Sequence, residues 1–242
     1  MTPAMIEITD LIKAFGMFPV LRGVNLAVPR GAFLALLGPN GSGKTTLLRI
    51  LAALGKPTAG RVTIGGWSLP QEAAQVRAQL GVVAHLPLLY DNLTAAENLA
   101  FYARLYDLPR PEAAARIREV LERVGLATRA NDLVRTFSRG MQQRLAIARA
   151  ILHRPHVLLF DEPYTGLDQD AAAMLDGLLR DVAADGHTIV MTSHDLSRAL
   201  ALSSQVAILS RGKIVYSSPS AAIAVHDFPR LYADVTGAAS TR

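Results

Sequence analysis

Short runs in which every position is apolar alternate with longer amphipathic stretches, and that alternation predicts an α/β fold. Phe33–Leu37 and His156–Phe160 read as strands buried on both faces of a parallel sheet. Thr188–Thr192 has the same character. Met5–Phe15 and Val24–Val28 are β-rich runs that open the chain, and Arg61–Ile64 and Leu80–Ala84 add further strands. Val206–Ser210 and Lys213–Tyr216 flank Arg211-Gly212, the signal of a hairpin. Helical periodicity covers Thr45–Leu54, closed by Gly55 and Pro57, and Gln169–Ala184, ended by Asp185-Gly186.

The pattern changes after residue 87. Up to Ile151 the chain is rich in Ala, Leu, Glu and Arg and has little β-branched alternation. Thr94-Ala95-Ala96-Glu97 is a capping box that opens a helix through about Tyr106. Pro111 stands near the start of a second helix, Glu112–Val124, which Gly125 stops. Ser138 caps a third, running to about His153. The organisation expected is one domain over residues 1–217. Its core is 1–86 and 154–217, with a helical insertion at about 87–153. Residues 218–242 form an extension rich in Ala, Ser and Pro, its last few residues disordered.

Composition narrows the class. The chain has 242 residues, half of them apolar and 19% charged, enough to bury a substantial core and too apolar for extended disorder. No apolar run approaches the roughly 18–20 residues of a membrane-spanning helix. Met1–Asp10 lacks the basic start and apolar block of a signal peptide, which predicts a cytoplasmic protein. Without cysteine there is no disulfide, thiol catalysis or thiolate metal site. The charge of +5 is dispersed rather than gathered in a stripe, so it is read as Arg-rich composition and no nucleic-acid partner is expected.

The chemistry is concentrated in three places. Gly38-Pro39-Asn40-Gly41-Ser42-Gly43-Lys44-Thr45 fits G-x-x-x-x-G-K-[ST] between an apolar strand and a helix that continues with Thr46. The glycines let successive N–H groups curl around phosphate oxygens, and the helix N-terminus adds its dipole. Lys44 is expected to bridge the β- and γ-phosphates of ATP, with the Thr45 hydroxyl on Mg²⁺. Val157–Phe160 leads into Asp161 and Glu162; Asp161 suits the metal and Glu162 the attacking water. His194, after the strand Thr188–Thr192, lies where ligands bind at the carboxyl ends of such strands.

Phe137-Ser138-Arg139-Gly140-Met141-Gln142-Gln143-Arg144 resembles the signature sequence of ABC ATPases, and Asp161-Glu162-Pro163 with Thr165-Gly166-Leu167-Asp168 resembles their Walker B and D-loop. The resemblance runs from Ile6 to about Tyr216. It implies a P-loop NTPase (RecA-like) core, an N-terminal antiparallel β subdomain and an inserted helical subdomain. It also implies a head-to-tail dimer with ATP at the interface, Ser138 and Gly140 meeting the opposite subunit's nucleotide, and Asp168 linking the two sites. His194 looks like the family's switch histidine. Phe15 stands where the family stacks an aromatic ring on adenine, with an ordinary core Phe as the lesser alternative. Three departures stand out: Arg139 and Met141 replace the commoner Gly and Gln, Phe15 replaces Tyr, and His85 occupies the register of a usual Gln. His85 is a candidate for a polar contact near Mg²⁺ or its water.

The resemblance further implies a peripheral subunit on the cytoplasmic face of the membrane, serving membrane-spanning permease partners in export. Leu88, Leu89, Tyr90 and Leu93 line the partner's groove or belong to the core; the residues allow both. The wording of residues 88–102 and 138–144, with His85, looks most like the ATP-binding subunits of cytochrome c maturation heme exporters, and drug and lipid exporters share much of it. A soluble ABC ATPase of repair or translation, a small-molecule P-loop kinase and a binding-only subunit are the competing readings.

Overall fold

The computed structural model describes residues 4–237, and two sheets organise them. Long strands β1 (Ala4–Phe15) and β2 (Phe18–Pro29) form an antiparallel hairpin. β3 (Phe33–Leu37) is buried at every position and leads through the glycine-rich turn into α1 (Lys44–Leu51). β4 (Ala59–Ile64) and β5 (Trp67–Leu69) complete a sheet of order β2-β1-β4-β5. Helix α2 (Ala73–Ala78) then precedes β6 (Leu80–Val83).

Three helices follow: α3 (Ala95–Leu105), α4 (Arg110–Arg123) and α5 (Arg139–Ile151). The chain returns as β7 (Val157–Asp161), α6 (Gln169–Ala184), β8 (Thr188–Thr192), α7 (Leu196–Leu202), β9 (Gln205–Ser210), β10 (Lys213–Pro219) and α8 (Phe228–Thr236). The second sheet has the order β10-β9-β3-β8-β7-β6; only β10 runs antiparallel to its neighbour. The fold is therefore α/β, as the alternating pattern predicts. The carboxyl ends of β3, β8, β7 and β6 are adjacent, so the segments that carry the candidate chemistry emerge side by side.

Local signals explain most element ends. The capping box forms: Glu97 N–H donates to Thr94 Oγ1 (3.2 Å) and Thr94 N–H donates to Glu97 Oε2 (2.8 Å). Helix α1 stops earlier than the Gly55 signal predicts. Ala53 takes the left-handed conformation (φ 56°), and the N–H groups of Ala53 and Leu54 turn back to Ile50 O and Arg49 O, both 2.9 Å. The short elements β5, α2, α7 and α8 are not predicted by the sequence pattern, being too brief for periodicity to register. α8 lies in the extension, where Phe228 is buried against β9 and β10 with Ala35, Leu37 and Ile208. The disorder expected at the end of the chain falls on positions 238–242, outside the described residues. Among the described residues no helix is long and apolar enough to cross a membrane.

Besides the cluster around Phe228, two larger apolar clusters flank the parallel sheet. One joins the sheet to α3–α6 through Leu145, Ile147, Leu158, Phe160, Leu175 and Leu179. The other joins it to the antiparallel sheet and α1 through Ile6, Leu11, Leu34, Leu47, Ile50 and Val62. Burial on both faces explains why β3 and β7 carry no polar position until their carboxyl ends.

Candidate functional site

The glycine-rich turn after β3 takes a shape few residues tolerate. Gly38, Gly41 and Gly43 have φ of 151°, 75° and 111°, in the range that favours glycine. A Cβ on Gly38 would collide with Leu209 O, and one on Gly43 would lie 2.8 Å from Leu21 Cδ2. Gly41 instead has nothing within 4 Å of where its Cβ would be, leaving the open side of the turn free. Residues 40–46, with Val20, Glu162 and His194, line a cavity of about 480 Å³. Lys44 is nearly buried and its ammonium donates to Gly38 O (2.7 Å) and Pro39 O (3.3 Å). Burial lowers its pKa, against the opposing pull of Glu162 and Asp161. Ser42 Oγ is buried in the same turn with no hydrogen-bond partner among the described residues.

Asp161 ends β7, and Glu162 follows it onto the wall of this cavity. Thr192, paired with Asp161 in the β7–β8 register, holds both acids: its hydroxyl donates to Asp161 Oδ1 (2.9 Å) and accepts from Glu162 N–H (2.9 Å). No motif in the sequence gives Thr192 a role. Aligning the two apolar runs that end in Asp161 and Thr192 is the signal that finds it. Glu162 has φ 54°, an unusual value for a residue with a side chain, costing of order 1–3 kcal/mol. Its carboxylate lies 2.9 Å from His194 Nε2. Burial pushes the Glu162 carboxyl above its ordinary range; His194, Lys44 and His85 draw it down and Asp161 raises it.

The other candidates are distributed unevenly. Phe15 is 58% exposed, which removes the core reading, and Lys13 Nζ stands 4.8 Å from its ring centre. It lines a second cavity of about 340 Å³ that shares Thr45 and Thr46 with the first. Ser138 is exposed and caps α5, accepting from Met141 N–H at 3.3 Å. A Cβ on Gly140 would lie 2.9 Å from Ala171 Cβ, so the start of α5 is seated on the start of α6. Asp168 caps α6, its Oδ1 accepting from Ala171 N–H (2.8 Å). Ser138, Gly140 and Asp168 line neither of the two cavities. Arg139 packs its guanidinium over Gly166 of the D-loop-like turn. Of the apolar segment after His85, Leu86, Leu88 and Tyr90 are exposed, while Leu89 packs on the core.

A family model described as ABC transporter matches residues 21–165, more than half the chain. The chain belongs to the ABC transporter family. It is an ATP-binding subunit of that family, and it is an ATPase. Among its relatives, the ABC transporter ATP-binding protein NatA of Bacillus subtilis is 37% identical over 88% of both chains. The linearmycin resistance ATP-binding protein LnrL of the same organism is 34% identical over 87% of this chain and 68% of its own length. A solved dimeric structure of the ATP-binding cassette MJ0796, in a post-hydrolysis state bound to ADP and Pi, superposes with a TM-score of 0.79 at 30% identity. It covers 89% of this chain and 99% of that one.

Proposed function

We propose that this subunit hydrolyses ATP at composite sites between two head-to-tail copies and so energises export by membrane-spanning permease partners. The observation that carries the proposal is the Glu162 carboxylate, held in a strained backbone conformation, 2.9 Å from His194 and on the wall of the phosphate-loop cavity. The N–H groups of residues 40–45 and the α1 dipole receive the phosphates. Lys44 exchanges its loop carbonyls for β- and γ-phosphate oxygens. Water attacks the γ-phosphorus, its proton passes to Glu162, the bond to the β-phosphate oxygen breaks, and ADP and phosphate leave. His194, hydrogen-bonded to Glu162, orients it and meets the γ-phosphate.

The donor set suits Mg²⁺. Among the described residues no group of three His, Cys, Asp or Glu side chains converges, so an all-protein metal cage is not what this chain offers. One hydroxyl, Thr45, and one carboxylate, Asp161, suit an ion that keeps waters and binds through substrate phosphates. When bound, that ion neutralises charge on the β- and γ-phosphates. The dimer follows from placement: Ser138, Gly140 and Asp168 carry signature and D-loop chemistry yet lie away from their own chain's cavity, and MJ0796 is dimeric. The protein acts peripherally, on the cytoplasmic face of the membrane.

For cargo, the relatives support a small molecule of the drug or lipid kind. They include resistance proteins for linearmycin and daunorubicin and Nod factor export proteins of Paraburkholderia and Cupriavidus. Heme export rests only on His85 and the wording of residues 88–102 and 138–144. Normal c-type cytochrome content in cells lacking this chain would remove it.

The deciding experiment is Glu162→Gln. General-base catalysis contributes typically about 10²–10⁴-fold, so kcat is expected to fall by that order while ATP still binds and closed dimers accumulate. Hydrolysis at the parent rate would show that Glu162 is not the base.

A further inference from the structure

Arg149 is a buried cation with no anion. It is 6% exposed, and among the described residues no carboxylate pairs with it. Its fork is spent on backbone: Nη1 donates to Pro87 O (2.8 Å) and Leu88 O (2.9 Å), and Nη2 donates to Val82 O (2.8 Å). The Tyr102 ring lies 5.1 Å from its Cζ, and the Tyr102 hydroxyl donates to the same Leu88 O at 2.7 Å. Arg116, which also reaches carbonyls from a buried position, has Glu119 beside it. Taking a guanidinium out of water is costly unless its donors are filled, and neutral carbonyls compensate less than a carboxylate. The arrangement buries charge to fix a shape: one side chain gathers both ends of residues 82–88 and closes them into a ring.

His85 stands in the middle of that ring. Val83 of β6 is paired with Phe160 of β7, so His85 and Glu162, each two residues further on, leave neighbouring parallel strands at the same level. His85 is exposed and its own side chain makes no hydrogen bond among the described residues. Its place is therefore set by the backbone that Arg149 holds. Arg149 also sits on α5, the helix that Ser138 caps at the other end.

We infer that Arg149 is a positioning residue for hydrolysis: by closing residues 82–88 it sets His85 beside Glu162. The inference rests on Glu162 being the base and names the residue that holds the base's neighbour in place. Arg149→Lys keeps the charge but not the fork. Small misplacements near reacting groups are expensive, so kcat is expected to fall about tenfold with KM for ATP within about twofold. His85→Ala is expected to produce a similar fall. The decisive measurement is the double variant. If Arg149 acts through His85, Arg149→Lys changes kcat by less than about twofold once His85 is alanine. Should Arg149→Lys fail to fold, Tyr102→Phe removes one of the ties on Leu88 O. It is then expected to lower kcat about threefold, again only while His85 is present. An Arg149 or Tyr102 effect that persists in full without His85 overturns the inference, as does a kcat insensitive to His85 or a KM that moves with kcat. A parent rate in Glu162→Gln would instead remove the base assignment beneath it.

Discussion

The phosphate loop and the signature turn both offer a helix N-terminus to an anion, yet only the first is enclosed by its own chain. Lys44 is nearly buried, its loop is backed by Leu209 and Leu21, and Glu162 and His194 close the cavity from the next strands. Ser138 is exposed, and among the described residues its side chain's only hydrogen bond is the cap to Met141. The start of α5 is braced from behind, where Gly140 meets Ala171 and Arg139 covers Gly166, while Ser138 at its tip is exposed. A firmly backed turn with an exposed cap suits the proposed contact with a second subunit's nucleotide. The difference teaches that one region is shaped to hold an anion alone, whereas the other depends on the proposed dimer for its ligand.

Variants can break that comparison in order of effect. Lys44→Ala removes a charge-assisted contact of roughly 1.5–3 kcal/mol, so Mg-ATP affinity of the isolated chain is expected to drop about 10–100-fold, with hydrolysis lost. Equilibrium nucleotide binding measures it, and unchanged affinity would end the phosphate-loop assignment. Ser138→Ala should behave oppositely. Binding to the isolated chain stays at the parent value, whereas kcat falls about tenfold through the lost contact to the opposing nucleotide. Mixing the two variants sharpens the point. Each mixed dimer holds one site with Lys44 and Ser138 both intact, so hydrolysis should exceed that of either variant alone. Activity no greater than the sum of the separate variants would argue against shared sites.

A smaller effect is expected at the adenine end. Base stacking is worth about 1–3 kcal/mol by alanine substitution, and a ring as exposed as Phe15 belongs at the low end. Phe15→Ala should weaken ATP binding about fivefold, and Phe15→Tyr should restore it. An affinity indifferent to both changes would leave Phe15 a hairpin-tip residue only.

The same contrast governs what the sequence reveals. The phosphate loop is legible because its glycines, lysine and hydroxyl are consecutive, and because the flanking strand and helix have unambiguous periods. Asp161 and Glu162 are legible for the same reason. Thr192 is not, because its role depends on the β7–β8 register, a property of two strands distant in the chain. The exposure of Phe15 depends on the hairpin that carries it, so the sequence leaves it open between core and surface. Arg149 sits amid an apolar helix pattern that gives no hint of three carbonyls converging on it. Brief elements such as α7 and α8 are settled by tertiary packing rather than local preference.

The mildest prediction concerns the joint at the far end of α5, where His153 ties the helical region to the sheet. Its Nε2 is 3.0 Å from Leu80 O, which requires the ring's proton there, and its Nδ1 is buried without a partner among the described residues. Tyr106 stacks on the ring at 3.8 Å. A charged imidazole would need an acceptor at Nδ1 that the site does not provide, and burial lowers the pKa to about 4. Because the folded value lies below the ordinary 6.5, the unfolded chain takes up a proton that the folded chain resists. The contribution is fully present above about pH 6.5 and is lost as pH falls toward 4. After discounting for partial exposure it amounts to about 1–3 kcal/mol. His153→Gln keeps a donor for Leu80 O and removes the titration. Its Tm should fall less than the parent's across that window, by a few degrees. At pH 7, well above the window, the phosphate-loop cavity should bind Mg-ATP equally in both, because His153 does not line it. Parallel Tm curves from pH 7 to 4 would show that acid sensitivity resides elsewhere, and a loss of nucleotide affinity at pH 7 would show that the joint and the phosphate loop are not independent.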